Sequence, residues 1–81
     1  MYDANNIKIS ERLKELRKEK GMTLEEVANA IYKSKPTIYK YEEGSLEPNL
    51  EALILLANLF EVNIESFFEK ENERKTTRDV N

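Results

Sequence analysis

Apolar residues recur at helical spacing along most of the chain. In "IKISERLKELRKEKG", Ile9, Leu13 and Leu16 follow at steps of four and three with charges between them, and Gly21 stands after the last turn. That pattern predicts an amphipathic helix over roughly residues 6–20. In "TLEEVANAI", Thr23 precedes Glu26 by three, the spacing at which each side chain satisfies the other's orphan N–H, so a second helix is expected over about 24–31. "YKSK" breaks the period. Ser34 can then cap a third helix, 35–42, with Pro36 in the first turn, where a missing N–H is harmless, and Gly44 just past its end.

After the loop "SLEPN", Asn49 can cap "LEALILLANLF", residues 50–60, the most apolar segment, and Asn63 can cap a last short helix over 64–69. Residues 70–81 are polar without period and read as a tail. With no strand pattern and no internal repeat, residues 1–69 are expected to form one all-α domain of five helices. About three residues between the second and third helices force a sharp crossing, the geometry of a helix-turn-helix.

Charge sharpens this picture. The 81-residue chain carries a net −3, but residues 1–44 hold nine Lys/Arg against eight Asp/Glu, whereas 45–81 hold four against eight. Within that half, "KSKPTIYKYEEG" holds three lysines with no acid before Glu42. With no cysteine and no histidine, disulfides, the usual zinc sites and Cys- or His-based catalysis are closed, so no enzyme is expected. The paired acids Glu25 and Glu26 suit a helix N-terminus better than acid-base chemistry. No stretch approaches the roughly 20 apolar residues of a membrane span and no signal-peptide pattern opens the chain, which points to the cytoplasm.

The words "ERLKELRKEKGMTLEEVANAI", "TIYKYEEG" and "PNLEALILLANLFEVNIESFF" stand in an order and spacing that resembles the lambda-repressor-like, Cro/C1-type (XRE family) helix-turn-helix regulators over residues 7–69. The resemblance implies a five-helix domain whose third helix enters the major groove of double-stranded DNA while the second lies across the backbone. It also implies an ion pair between Arg17 and Glu42 joining the first helix to the end of the third. Ser34, Lys35, Pro36, Thr37, Tyr39 and Lys40 match the family's base- and phosphate-touching positions, and Ile38 and Tyr41 match its core positions. The helical period agrees independently.

Lys33 and Ser45 extend the expected contact set, and the helix starts at Thr23 and Asn49 can offer backbone N–H groups to phosphates. Lys35 and Lys40 can each donate to guanine or neutralise a phosphate; Tyr39 can meet a thymine methyl or a phosphate. Three features depart from the family. Leu24 stands where it usually has a phosphate-binding glutamine, Tyr32 where the turn usually has glycine, and Glu43 and Glu47 flank a loop that often carries basic ligands.

In the 50–60 helix, Leu50, Leu53, Leu56, Ala57 and Phe60 fall on one side and Ala52, Leu55 and Leu59 nearly opposite. The second stripe, with Phe67 or Phe68, is expected either to join a dimer interface or to be covered by the chain's own last helix and tail. A symmetric homodimer would set two third helices one DNA turn, about 34 Å, apart over a palindromic operator. The reading is thus a cytoplasmic, cofactor-free, operator-binding repressor without metal or small-molecule substrate, controlled by concentration, a regulatory protein partner or the tail. Its rival is a protein-interaction module on the same fold that has given up DNA, supported by Leu24, Glu43, Glu47 and a pI of 5.1.

Overall fold

The computed structural model describes residues 2–68; the expected tail at 70–81, and Glu69 at the end of the expected fifth helix, lie outside the described residues. Four α-helices follow in order: α1 (Tyr2–Glu19), α2 (Leu24–Ala30), α3 (Lys35–Glu43) and α4 (Leu50–Phe60), then one 3₁₀ turn (Ile64–Phe67). Among the described residues there is no strand. None of the described helices is long and apolar enough to cross a membrane.

Two helices, α2 and α4, begin on a side-chain cap. The capping box at Thr23 is complete, with the Glu26 N–H donating to Thr23 Oγ1 at 3.1 Å and the Thr23 N–H to Glu26 Oε1 at 2.9 Å. Asn49 Oδ1 accepts from the Ala52 N–H at 2.9 Å to open α4. α1 starts several residues earlier than the apolar period requires, at Tyr2; an acid such as Asp3 and a strong helix former such as Ala4 suit a first turn.

The four helices also share one kind of ending. After α1, Gly21 (φ 68°) donates to Lys18 O and Met22 to Arg17 O; after α3, Gly44 (φ 85°) donates to Tyr41 O and Ser45 to Lys40 O. These paired bonds reaching back three and five residues are the Schellman motif, which needs a left-handed residue. α2 and α4 close the same way on side-chain-bearing residues: Tyr32 (φ 63°) with Lys33 N–H to Ala28 O at 2.8 Å, and Glu61 (φ 60°) with Val62 N–H to Ala57 O at 3.0 Å. Tyr32, standing where the family's turn usually has glycine, adopts the left-handed conformation itself.

The core gathers Ile9, Leu13 and Leu16 of α1, Val27, Ala28 and Ile31 at the end of α2, Ile38 and Tyr41 of α3, and Leu53, Leu56 and Phe60 of α4. Each α1 position is the one the spacing selected. With a whole-domain stability of about 4–12 kcal/mol at this length, one buried leucine truncated to alanine, at about 2–5 kcal/mol, is enough to threaten the fold.

Two expectations are corrected. The fifth α-helix is a single 3₁₀ turn, held by Ser66 N–H to Asn63 O and Phe68 N–H to Glu65 O, both at 2.9 Å. Asn63 makes no side-chain cap, and the turn is fixed by packing instead: Phe67 is wholly buried, and the segment lies against α1 and α4. The buried stripe of α4 runs Ala52, Leu53, Leu56, Ala57 and Phe60, so Ala52 belongs to the core and Leu50, 66% exposed, does not.

Candidate nucleic-acid interface

α3 is anchored from below. Ile38 is fully buried and Tyr41 nearly so, and burial pushes the Tyr41 phenol above the ordinary tyrosine value. The opposite side of the same helix is open: Lys35, Pro36, Tyr39 and Lys40 are exposed, Lys33 and Ser34 stand exposed just ahead of it, and Thr37 is half-buried. Ser34 holds the cap position, but its hydroxyl pairs with Thr37 Oγ1 at 2.9 Å instead of a backbone N–H. Pro36 as the second helical residue limits the number of first-turn amides that need a partner.

A bidentate ion pair sets how this helix sits on the body. Arg17 Nε donates to Glu42 Oε2 at 2.6 Å and Arg17 Nη2 to Glu42 Oε1 at 3.1 Å, while Nη1 donates to the Met22 carbonyl at 2.9 Å. The side chains are only 14% and 6% exposed. One guanidinium thus ties α1, the turn after it and the last turn of α3, with the planar fork that suits a carboxylate.

Arg17 and Leu24 are shared by two surface grooves. In one, Arg17, Gly21, Met22, Thr23, Leu24 and Glu25 face Lys35, so the start of α2 and the start of α3 converge. In the other, Lys14, Arg17 and Lys18 of α1 face Tyr39, Glu42 and Glu43 of α3 across Leu24. Thr23 is exposed at the first groove, although its hydroxyl already serves the capping box. Ser45 and Asn49 are exposed beyond the far end of α3; the Ser45 hydroxyl donates to Glu43 Oε1 at 3.4 Å, and the Asn49 carboxamide oxygen is taken by its cap. These last two stand on the loop side and line neither groove.

Cations divide into two sets. Arg12, Arg17 and Lys20 have carboxylate partners in Glu15, Glu42 and Glu61. Lys14, Lys18, Lys33, Lys35 and Lys40 have none among the described residues, and all five are exposed. Among the described side chains, the unneutralised charge therefore lies on α3, the turn before it and the α1 wall of the second groove. Lys14 and Lys18 were not singled out from the sequence. Their spacing of four around Arg17 was a visible signal, but the neighbour that gives it meaning, Tyr39, is 25 residues from Lys14 in the chain and meets it only in the fold. No group of three or more potential metal-ligating side chains occurs among the described residues.

The expected dimer set is divided. Ala52 and Phe67 face the interior of the subunit, because α4 turns Ala52 toward its partners and the 3₁₀ turn directs Phe67 inward. Leu55 and Leu59 are half-buried against the same core. Phe68, at 48% exposed, remains outside, and Leu50 and Ile54, one turn apart on α4, are the helix's most open apolar residues.

Residues 13–67 match the Helix-turn-helix family. Among curated proteins, the chain is 38% identical over 66 residues to the HTH-type transcriptional regulator AnsR of Bacillus subtilis, covering 82% of this chain and 57% of AnsR. It is 36% identical over 63 residues to the HTH-type transcriptional regulator DdrOP3 of Deinococcus deserti, covering 78% of this chain and 49% of that protein. The chain thus spans about half to three-fifths of the length of these relatives. Among solved structures, the restriction-modification controller protein C.AhdI from Aeromonas hydrophila superposes with a TM-score of 0.75 at 26% identity, covering 80% of this chain and 98% of that one. Together with the short α2–α3 corner and the Arg17–Glu42 clamp, these matches establish that the chain belongs to the Cro/C1-type (XRE) helix-turn-helix family.

Proposed function

We propose that the protein is a sequence-specific DNA-binding transcription regulator that inserts α3 into the major groove and acts as a homodimeric repressor on a palindromic operator. The observation that carries this reading is the outer face of α3: Lys35, Tyr39 and Lys40 exposed, unpaired with any described acid, and presented on a helix clamped at its far end by Arg17 and Glu42. A polyanion is the partner such a surface suits, and the wide groove of B-DNA admits one helix. The regulators among its relatives support the same role.

Lys35 and Lys40 are the residues assigned to guanine edges or phosphates, Tyr39 to a thymine methyl or phosphate, and Lys33, Ser34 and Thr23 to the backbone on either side. Glu43 and Glu47 are exposed near the end of α3 and oppose phosphates within a Debye length, about 8 Å at physiological salt. One domain should therefore bind weakly, and doubling the contact in a dimer supplies the affinity. Leu50, Ile54 and Phe68, with the accessible edges of Leu55 and Leu59, are the apolar surface assigned to that association. No catalytic step and no cofactor enter this role, which is exercised in the cytoplasm where the DNA is.

The test is fluorescence anisotropy of a labelled random duplex titrated with the protein between 50 and 200 mM salt. A DNA-binding regulator loses affinity steeply over that range. Absence of binding even at 50 mM would leave a protein-interaction module as the function of this fold.

A further inference from the structure

We infer that the groove between α1 and α3 is a second hold on DNA, in which Lys14 and Lys18 of α1 each neutralise a backbone phosphate without reading sequence. This inference rests on the DNA-binding role of α3 and adds a contact from an element outside the helix-turn-helix.

Four observations converge on it. Lys14 and Lys18 are four apart, one turn of helix, and both line the groove whose opposite wall is Tyr39, a residue of the outward face of α3. Any strand lying against Tyr39 is thus bordered by two ammonium groups. Secondly, the groove's charge is not self-cancelled. Arg17 and Glu42 consume each other at 2.6 Å, which leaves Lys14 and Lys18 against the single carboxylate Glu43, itself receiving the Ser45 hydroxyl.

Thirdly, both lysines lack an ion-pair partner among the described residues, although the same helix pairs Arg12 with Glu15 and Lys20 beyond its end lies 3.9 Å from Glu61. Two like charges one turn apart weaken a helix by a few tenths of a kcal/mol, and although Lys18 in the last turn suits the helix dipole, Lys14 lies a turn further back and has no such partner. Finally, Leu24 lines the groove beside the two lysines and Tyr39. An apolar side chain offers no hydrogen bond to a base edge but accommodates the carbon face of a deoxyribose. Leu24 cannot supply the side-chain phosphate bond of the glutamine usual at its position, and the two lysines provide an alternative source of that hold.

The experiment compares the full-length protein with its Lys14→Gln/Lys18→Gln variant on a random duplex and on an operator enriched from random sequences, each at several salt concentrations from 50 to 200 mM. Each phosphate contact contributes about 0.9 to the slope of log K against log salt. The variant is expected to show a slope shallower by about 1.8, so that over this fourfold salt range the wild type loses about tenfold more affinity than the variant. The ratio of operator to random binding should be unchanged. Both positions are exposed and glutamine is a good helix former, so the thermal midpoint checks that the fold is retained. An unchanged slope in a folded variant overturns the inference, as does a loss confined to the operator, which would make the lysines readers of bases. A wild type that binds no duplex at any salt overturns the parent reading instead, so the two failures are distinguishable.

Discussion

Glu42→Gln isolates the clamp that orients α3. In the wild type the guanidinium of Arg17 makes two bonds to Glu42 and one to the Met22 carbonyl, with the carboxylate side chain 6% exposed and the guanidinium side chain 14%. The amide keeps the shape of the carboxylate but removes its charge and replaces one acceptor oxygen with a donor that faces the fork. The nearly buried cation loses its counter-charge. Breaking a buried pair in this way costs about 3–5 kcal/mol; the residual access of water to Arg17 places this case at the lower end, about 3 kcal/mol. For a domain worth about 4–12 kcal/mol in total, that is a large fraction, and urea unfolding followed by circular dichroism reads it as a lower midpoint at unchanged slope. Replacing both partners, Arg17→Met with Glu42→Met, removes the buried charges together and should cost less than Glu42→Gln alone, because neither desolvation nor an unpaired ion remains. A loss below about 1 kcal/mol for Glu42→Gln, the range of exposed pairs, would refute the reasoning that this pair is a buried clamp.

Three further outcomes are expected. Tyr32→Gly removes a side chain from a residue at φ 63° that is 86% exposed; relief of about 1–2 kcal/mol of left-handed strain exceeds glycine's entropic penalty of about 0.5–1 kcal/mol, so calorimetry should show a higher Tm, and a lower one contradicts the assignment. Burial raises the Tyr41 phenol above its unfolded value near 10, so the neutral form stabilises the fold fully below pH 10 and that contribution is lost as pH rises from there through the raised value; between pH 8 and pH 10.5 the urea midpoint should fall less for Tyr41→Phe than for the wild type, and equal falls would count against it. Leu50→Glu with Ile54→Glu changes two exposed positions of α4 and should convert a dimer into a folded monomer by sedimentation velocity, whereas an unaltered dimer moves the interface elsewhere.

Local chemistry was legible wherever it is also decisive. The step of Ile9, Leu13 and Leu16 set the buried face of α1, the Thr23–Glu26 spacing set the start of α2, and Gly21 and Gly44 marked two stops, because each depends on residues within one turn. The outward lysines of α3 followed from the same period. What escaped depends on contacts distant in the chain. The ends at Tyr32 and Glu61 use the same left-handed closure as the glycines, yet neither residue type announces it. On α4, where apolar residues nearly encircle the helix, periodicity could not choose between Leu50 and Ala52; packing in the fold, with the 3₁₀ turn against α4, did. Phe67 and Phe68 were indistinguishable for the same reason until one of them was seen to fill the core. The groove of Lys14, Lys18 and Tyr39 exists only after α1 and α3 have docked.

The most direct measurement is the dissociation constant of a selected operator, and of a scrambled duplex, for the wild type and for Lys35→Ala/Lys40→Ala. Both lysines are exposed on α3, so the variant should melt at the wild-type temperature. With the reading face assigned to α3, the wild type should prefer the operator by at least the 10³-fold typical of specific sites, and the folded variant should lose that preference. An operator preference that survives the double substitution would contradict the assignment of α3 as the DNA-reading element.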